Sequence, residues 1–150
     1  MARTHPRKHG STARAVLPLS GIEPKRFGPL TLRDFPLCPE ALGVSALHVT
    51  LRAHSDTPCL VHKHTNEFTF VLRGRVDVFM DGRRYSLKGK DMLLIPAGAA
   101  HRIKTGEHSV EVLALFSPIV DMARPDAAPA TRHGVGRRYK DPFVGKGDSN

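Results

Sequence analysis

The chain has 150 residues, of which 40% are hydrophobic, and this size fits a single domain. Its formal net charge is +9, but residues 1–26 hold six Lys or Arg and one acidic residue, so the largest excess lies before the apolar part of the chain. Specific nucleic-acid binding is therefore not predicted, and a membrane-spanning helix is not predicted because no apolar run reaches roughly 20 residues.

Three zones follow one another along the sequence. Residues 1–28 are basic, residues 29–118 alternate short apolar runs with turn signals, and residues 119–150 are rich in Pro and Gly. This pattern predicts a β-barrel over 29–118, between a flexible basic N-terminal arm and a Pro/Gly-rich C-terminal tail. We therefore expect a fragment of about residues 27–120 to fold and to keep its function without the two ends.

The central zone reads as a series of short strands. Asp81-Gly82 lies between two strand-like runs, which is a strong hairpin signal. Only residues 31–42 indicate weak helical content. Many short strands with Gly and Pro turns favour a sandwich or barrel. The predicted strands are Ala46–Arg52, Phe68–Leu72, Val76–Met80, Arg84–Leu87, Met92–Ile95 and Ser109–Phe116.

Three histidines and one glutamate form a pattern suited to a metal ion. His62 and His64 alternate, so on one strand their Cα atoms would lie roughly 6.6 Å apart on the same face. Glu67 follows after two residues, and His101 comes directly after the turn Pro96-Ala97-Gly98-Ala99-Ala100. Imidazole and carboxylate ligands together suit one divalent ion of Fe, Mn, Ni, Co or Zn.

These residues resemble the two motifs of the cupins. HxHxxE, from His62 to Glu67, with Gly74 beyond it, resembles the first motif, and Pro96-x-Gly98-x-x-His101 is similar to the second. The resemblance covers residues 44–118 and implies an all-β, double-stranded β-helix barrel of the jelly-roll kind. It implies that His62, His64, Glu67 and His101 are the metal ligands. Two residues separate His64 from Glu67, where the family usually has three or four, so the loop between these ligands is shortened.

The resemblance also implies a small-molecule enzyme. We expect a dioxygenase acting on an oxygen-bearing organic substrate, with an isomerase, cyclase or lyase as the other reactions of such a site. Glu67 is the expected catalytic residue, because a carboxylate that leaves the metal can act as a base. The alternative is a non-catalytic cupin module that binds or senses a small ligand.

Three further expectations concern the surroundings of the barrel. His48 and Arg52 alternate on one predicted strand and face either the pocket or the outer surface. The exposed sheet edges favour a homodimer, formed in part by the apolar residues of segment 29–44. Cys38 and Cys59 make no CxxC pair, which favours a reducing, cytoplasmic location.

Overall fold

A computed structural model describes residues 17–36, 42–121 and 123–130 of the chain. Within them, eleven strands form two antiparallel sheets, which confirms the predicted all-β jelly-roll barrel. The first sheet has the strand order β1-β2-β3-β10-β5-β8, and the second has the order β11-β4-β9-β6-β7. The strands are β1 (Lys25–Phe27), β2 (Leu30–Asp34), β3 (Ser45–Leu51), β4 (Leu60–His62), β5 (Asn66–Arg73), β6 (Arg75–Met80), β7 (Arg83–Lys88), β8 (Met92–Ile95), β9 (Ala100–Thr105), β10 (Val110–Ser117) and β11 (Ala127–Pro129).

The core lies between the two sheets and is built by alternation. On β5 and β10 every second residue is buried, as expected for strands with one face on the core and one towards the surface. Val71 of the first sheet and Val78 of the second are among the fully buried side chains. The alternating pattern of the sequence thus determines which side chains point between the sheets.

The register of β5 places its polar residues on this inner face. Glu67 pairs with Phe116 of β10 on one side and with Ile95 of β8 on the other. Glu67 and Thr69 are buried, while Phe68 and the rest of the alternate set face outward and are partly exposed. A buried carboxylate therefore lies on a strand that is paired on both sides, rather than in a loop.

Two tight turns hold the neighbouring strands in place. Asp81 and Gly82 both have positive φ, 48° and 80°, so the predicted Asp-Gly hairpin between β6 and β7 is confirmed. Gly74, between β5 and β6, has φ 96°, and a Cβ added there would lie 2.9 Å from the carbonyl oxygen of Ser109. Only glycine fits this turn without displacing the backbone.

The sheets extend beyond the predicted limits of 29 and 118. Residues 25–27 form β1, and residues 127–129 form β11, which pairs with β4. The helical expectation for 31–42 is wrong over residues 31–34, because Leu30 and Leu32 alternate inward and pair with β3. Residues 1–16, 37–41, 122 and 131–150, which include much of both predicted tails, Leu37 and Cys38, lie outside the described residues.

The structure also bears on the expectations about a membrane-spanning helix and about the direction in which His48 points. Within the described ranges, no helix is long and apolar enough to span a membrane. His48 lies on the outer side of β3, where its Nε2 is 3.3 Å from Glu111 Oε2, whereas its neighbours Leu47 and Val49 line the interior. His48 therefore does not face the pocket.

Candidate metal centre

Three of the four predicted ligands converge between the sheets. His62 ends β4 and His101 lies on β9, both in the second sheet, whereas Glu67 lies on β5 in the first. The Nε2 atoms of His62 and His101 lie 3.3 and 3.7 Å from the same oxygen, Oε2 of Glu67. One possible ligand atom from each residue lies within 4.8 Å of the others. The sequence pattern therefore indicated a real cluster, formed across the two sheets.

His64 lies outside this cluster, in contrast to the predicted set of three histidines and one glutamate. The prediction assumed one continuous strand through both histidines, but β4 ends at His62 and the chain bends at residues 63 and 64. His64 is exposed, and its backbone N–H donates to Oδ2 of Asp126 at 2.8 Å. The short segment between His64 and Glu67 leads directly into β5. His64 is therefore not in a strand, and the rule that alternate residues of a strand face the same side does not apply to it.

Asp126 contacts the cluster, and the sequence analysis missed it. Its Oδ1 is 3.3 Å from Nδ1 of His62, and its Oδ2 also accepts the hydroxyl of Thr65 at 3.0 Å. Asp126 directly precedes β11, in a segment that was assigned to the tail. The only sequence signal is a single acid in a stretch of Pro and Ala, and such a stretch does not predict a strand.

Acceptors behind both imidazoles determine which ring nitrogen carries the proton. A carboxylate and a carbonyl only accept, so Nδ1 of His62 donates to Asp126, and Nδ1 of His101 donates to the carbonyl of Ala99 at 3.2 Å. Both Nε2 atoms are thereby left to face the common point. Thr69 donates to Oε1 of Glu67 at 2.9 Å and leaves Oε2 turned towards the imidazoles.

The electrostatics of the cluster favour positive charge at this common point. Burial opposes a charged His62, but Glu67 and then Asp126 hold the pKa of His62 above its ordinary value of 6.5. Burial also opposes a charged Glu67, yet in the metal-free protein the hydrogen bond that a protonated His62 donates, and the positive charges of His101 and His62, lower the pKa of Glu67. A buried carboxylate facing two imidazole nitrogens is therefore suited to a cation.

The donor set fits a divalent metal ion. Glu67, His62 and His101 are 7%, 9% and 5% exposed, so an ion held among them would be shielded from bulk water. Two imidazoles and one carboxylate with open positions are typical of non-haem Fe(II) oxygenases, and three protein ligands are also typical of catalytic Zn²⁺. Acceptors on the second ring nitrogen, as at Asp126 and Ala99, are a usual feature of metal-ligating histidines.

An apolar cavity of about 230 Å³ adjoins the cluster. Its walls come from both sheets, and His62, Glu67 and His101 form part of its lining. Pro125 and Ala127, on either side of Asp126, close part of the wall. A small molecule in this cavity would therefore lie directly against the three candidate ligands.

Comparisons with known proteins agree with this architecture. The family model described as "Cupin domain" matches residues 47–116. The quercetin 2,3-dioxygenase of Bacillus subtilis is 38% identical over 56 residues, which is 37% of this chain and 17% of that protein. An uncharacterized protein of Aquifex aeolicus is 34% identical over 67 residues, which is 45% of this chain and 54% of that protein.

Solved structures share the fold at lower sequence identity. A predicted oxalate decarboxylase from Thermotoga maritima superimposes with a TM-score of 0.63 at 21% identity, over 69% of this chain and 98% of that one. The chain spans between 17% and 54% of the length of the two curated relatives described above. The structural likeness concerns the fold alone.

Proposed function

The chain belongs to the cupin superfamily through residues 47–116, and from this premise we propose that it is a metal-dependent small-molecule enzyme. His62, Glu67 and His101 are the proposed ligands of one divalent ion. His64, which the motif implied as a fourth ligand, is left out because its side chain is exposed and outside the cluster.

One observation carries the proposal. Both imidazoles have Nδ1 bound to an acceptor that cannot donate, so both Nε2 atoms are oriented towards Oε2 of Glu67. With neutral imidazoles and no metal, two Nε2 lone pairs and a carboxylate oxygen, which can all only accept, would face one another, and this is unfavourable in a buried site. The matching orientation of the second imidazole favours an ion that both rings share.

The reaction we infer is a dioxygenation of an oxygen-bearing organic substrate. A bound iron would supply oxygen activation and Lewis acidity, whereas zinc or manganese would supply Lewis acidity for an isomerase, cyclase or lyase reaction. The two-imidazole, one-carboxylate donor set and the similarity to a segment of a quercetin 2,3-dioxygenase support the dioxygenase. The chain's own residues orient the ligands and exclude water, and Glu67 is the proposed base.

The test is elemental analysis of the full chain purified without added metal. We expect close to one metal ion per chain in the native protein and none in His62→Ala or His101→Ala. His48→Ala is the matched control, because His48 is also a buried histidine bonded to a carboxylate but lies on the outer face. Full metal occupancy in both ligand variants, with native circular dichroism, would refute the assignment.

The apolar cavity also favours a second candidate, a non-catalytic module that binds or senses a small ligand. Such a module needs the cavity but not turnover. Oxygen consumption or product formation with the loaded protein distinguishes the two, since stoichiometric ligand binding without turnover would support the module. A metal-free native protein that still binds a ligand would support it as well.

The homodimer and the cytoplasmic location stay predictions. The segment proposed for the dimer contact changes, because Leu30 and Leu32 are only partly exposed and line the interior cavity. Exposed apolar side chains lie instead on the outer side of the first sheet, among them Leu72, Met92 and Leu94. Light scattering of the native chain and of Leu94→Lys tests whether a second copy covers this face.

A further inference from the structure

The cavity beside the candidate metal centre is lined mostly by apolar side chains. Among the described residues, its lining contains no Lys, Arg, Asn or Gln. In this described part of the chain, the polar side chains of the lining other than His62, Glu67 and His101 are those of Thr57 and Thr69. Aliphatic side chains from both sheets make most of the surface, for example Leu32, Leu47, Val49, Val78 and Ile103.

Both threonines already have hydrogen-bond partners. The Thr57 hydroxyl accepts the backbone N–H of Ile103 at 2.9 Å, and the Thr69 hydroxyl donates to Glu67. A buried anion or polyol away from the cluster would therefore have few partners in the cavity. Burying an unpaired charge or an unbonded hydroxyl is strongly unfavourable, so the walls select against both.

The volume limits the size of what the cavity holds. At about 230 Å³ it is larger than the roughly 150 Å³ apolar cavity that accommodates benzene, but below the usual range of drug-sized pockets. Phe27 lines it and is 50% exposed, so the cavity opens beside β1. One substituted ring, or a group of similar size, fits inside.

We propose that the substrate presents its oxygen atoms to the metal centre and an uncharged, apolar body of about one ring to the cavity. This inference rests on the proposed function for the oxygen-bearing end, and on the cavity alone for the apolar end. Carboxylated and phosphorylated analogues whose charge would lie in the cavity are excluded.

The test compares two ligands with the same metal-binding end. The probes are 4-methylcatechol and 3,4-dihydroxybenzoate, which carry a methyl group and a carboxylate, respectively, at the same ring position, para to one hydroxyl and meta to the other. We expect the metal-loaded full chain to bind 4-methylcatechol at least tenfold more tightly by calorimetry. Equal affinities, or tighter binding of the carboxylate, would overturn the proposal.

A gain-of-binding variant sharpens this test. Leu32→Arg introduces a cation on a partly buried wall position, and we expect it to reduce or invert the preference between the two probes. Leu17→Arg is the matched control, because Leu17 is 36% exposed and does not line the cavity, and it should keep the native preference. The comparison on the native chain stands even if Leu32→Arg fails to fold.

A measurement without metal separates this proposal from the proposed function. Toluene, which has no metal-binding group, should shift methyl resonances of the cavity residues in the chelator-treated chain, whereas benzoate should not. Toluene binding in a chain that takes up no metal would refute the metal enzyme and support the apolar cavity. No shift at toluene saturation would overturn the cavity inference.

Discussion

Replacing Asp126 by Asn tests whether the segment before β11 orients the metal ligand. Oδ2 of Asp126 accepts from the backbone of His64 at 2.8 Å and from Thr65 at 3.0 Å, and Oδ1 accepts from His62 at 3.3 Å. In the variant, the amide oxygen would keep the two shorter contacts, which turns the amide NH₂ group towards Nδ1 of His62. Two donors would then face each other.

His62 relieves this conflict by moving its proton to Nε2, which removes the lone pair that faces Glu67. Loss of such an outer acceptor typically costs about 10–100-fold in metal affinity, or about 1.4–2.8 kcal/mol. We expect the upper part of this range, because the substitution reverses the hydrogen bond rather than only removing it. The contacts to His64 and Thr65 remain, so the metal-free fold should lose little stability.

The assay is competition for Co²⁺ or Zn²⁺ against a chromophoric chelator at neutral pH, combined with thermal unfolding of the metal-free protein. Asp121→Asn is the control, because the described contacts of Asp121 are with Ala123 and Arg124 and not with the cluster. Metal affinity of Asp126→Asn within twofold of the native value would refute the reasoning about the imidazole.

Three other predictions follow from the same geometry. In the chelator assay, His64→Ala should keep metal affinity within about threefold of the native value. Glu67→Gln should weaken metal affinity by at least about tenfold, which is the lower cost of losing a hydrogen-bond acceptor behind a metal ligand. Without metal, the raised pKa of His62 adds stability that is lost as pH rises through that pKa. The lowered pKa of Glu67 adds stability that is lost only as pH falls through its own pKa. The melting temperature of the metal-free protein should therefore be higher near about pH 5.5 than at about pH 8. A chain ending at residue 120 lacks Asp126 and β11, and should bind metal more weakly than the full chain in the same competition; equal affinity would contradict the role of this segment.

The sequence predicted those parts of the fold that depend on residues close to one another along the chain. The Asp81-Gly82 turn and the alternating strands β5 and β10 follow from backbone preference and from a buried inner face. The edge strands β1 and β11 are three residues long and were missed, since their formation depends on pairing with β2 and β4. Short segments of this kind carry no periodicity of their own.

The same distinction separates the residues of the candidate site that the sequence predicted from the one that it did not. His62, Glu67 and His101 were found because their residue types and order resemble a motif, and the structure brings them together. His64 was included because a strand was assumed to continue past His62. Asp126 was missed because its role depends on a contact 64 residues away along the chain, for which a single acid provides no signal.

The register in which β5 pairs with its neighbours determines one way in which the candidate metal centre would be lost. Side chains on a strand alternate between its two faces, so a slip of one residue against β8 and β10 would exchange Glu67 for the ring of Phe68. The sheet would keep a similar number of backbone hydrogen bonds, but the centre would receive a phenyl group and the carboxylate would be turned outward. In a variant that retains all three candidate ligands, loss of metal binding with an unchanged far-ultraviolet spectrum would therefore indicate a register error. Gly74, which anchors the turn after β5, is the position where a substitution should produce it.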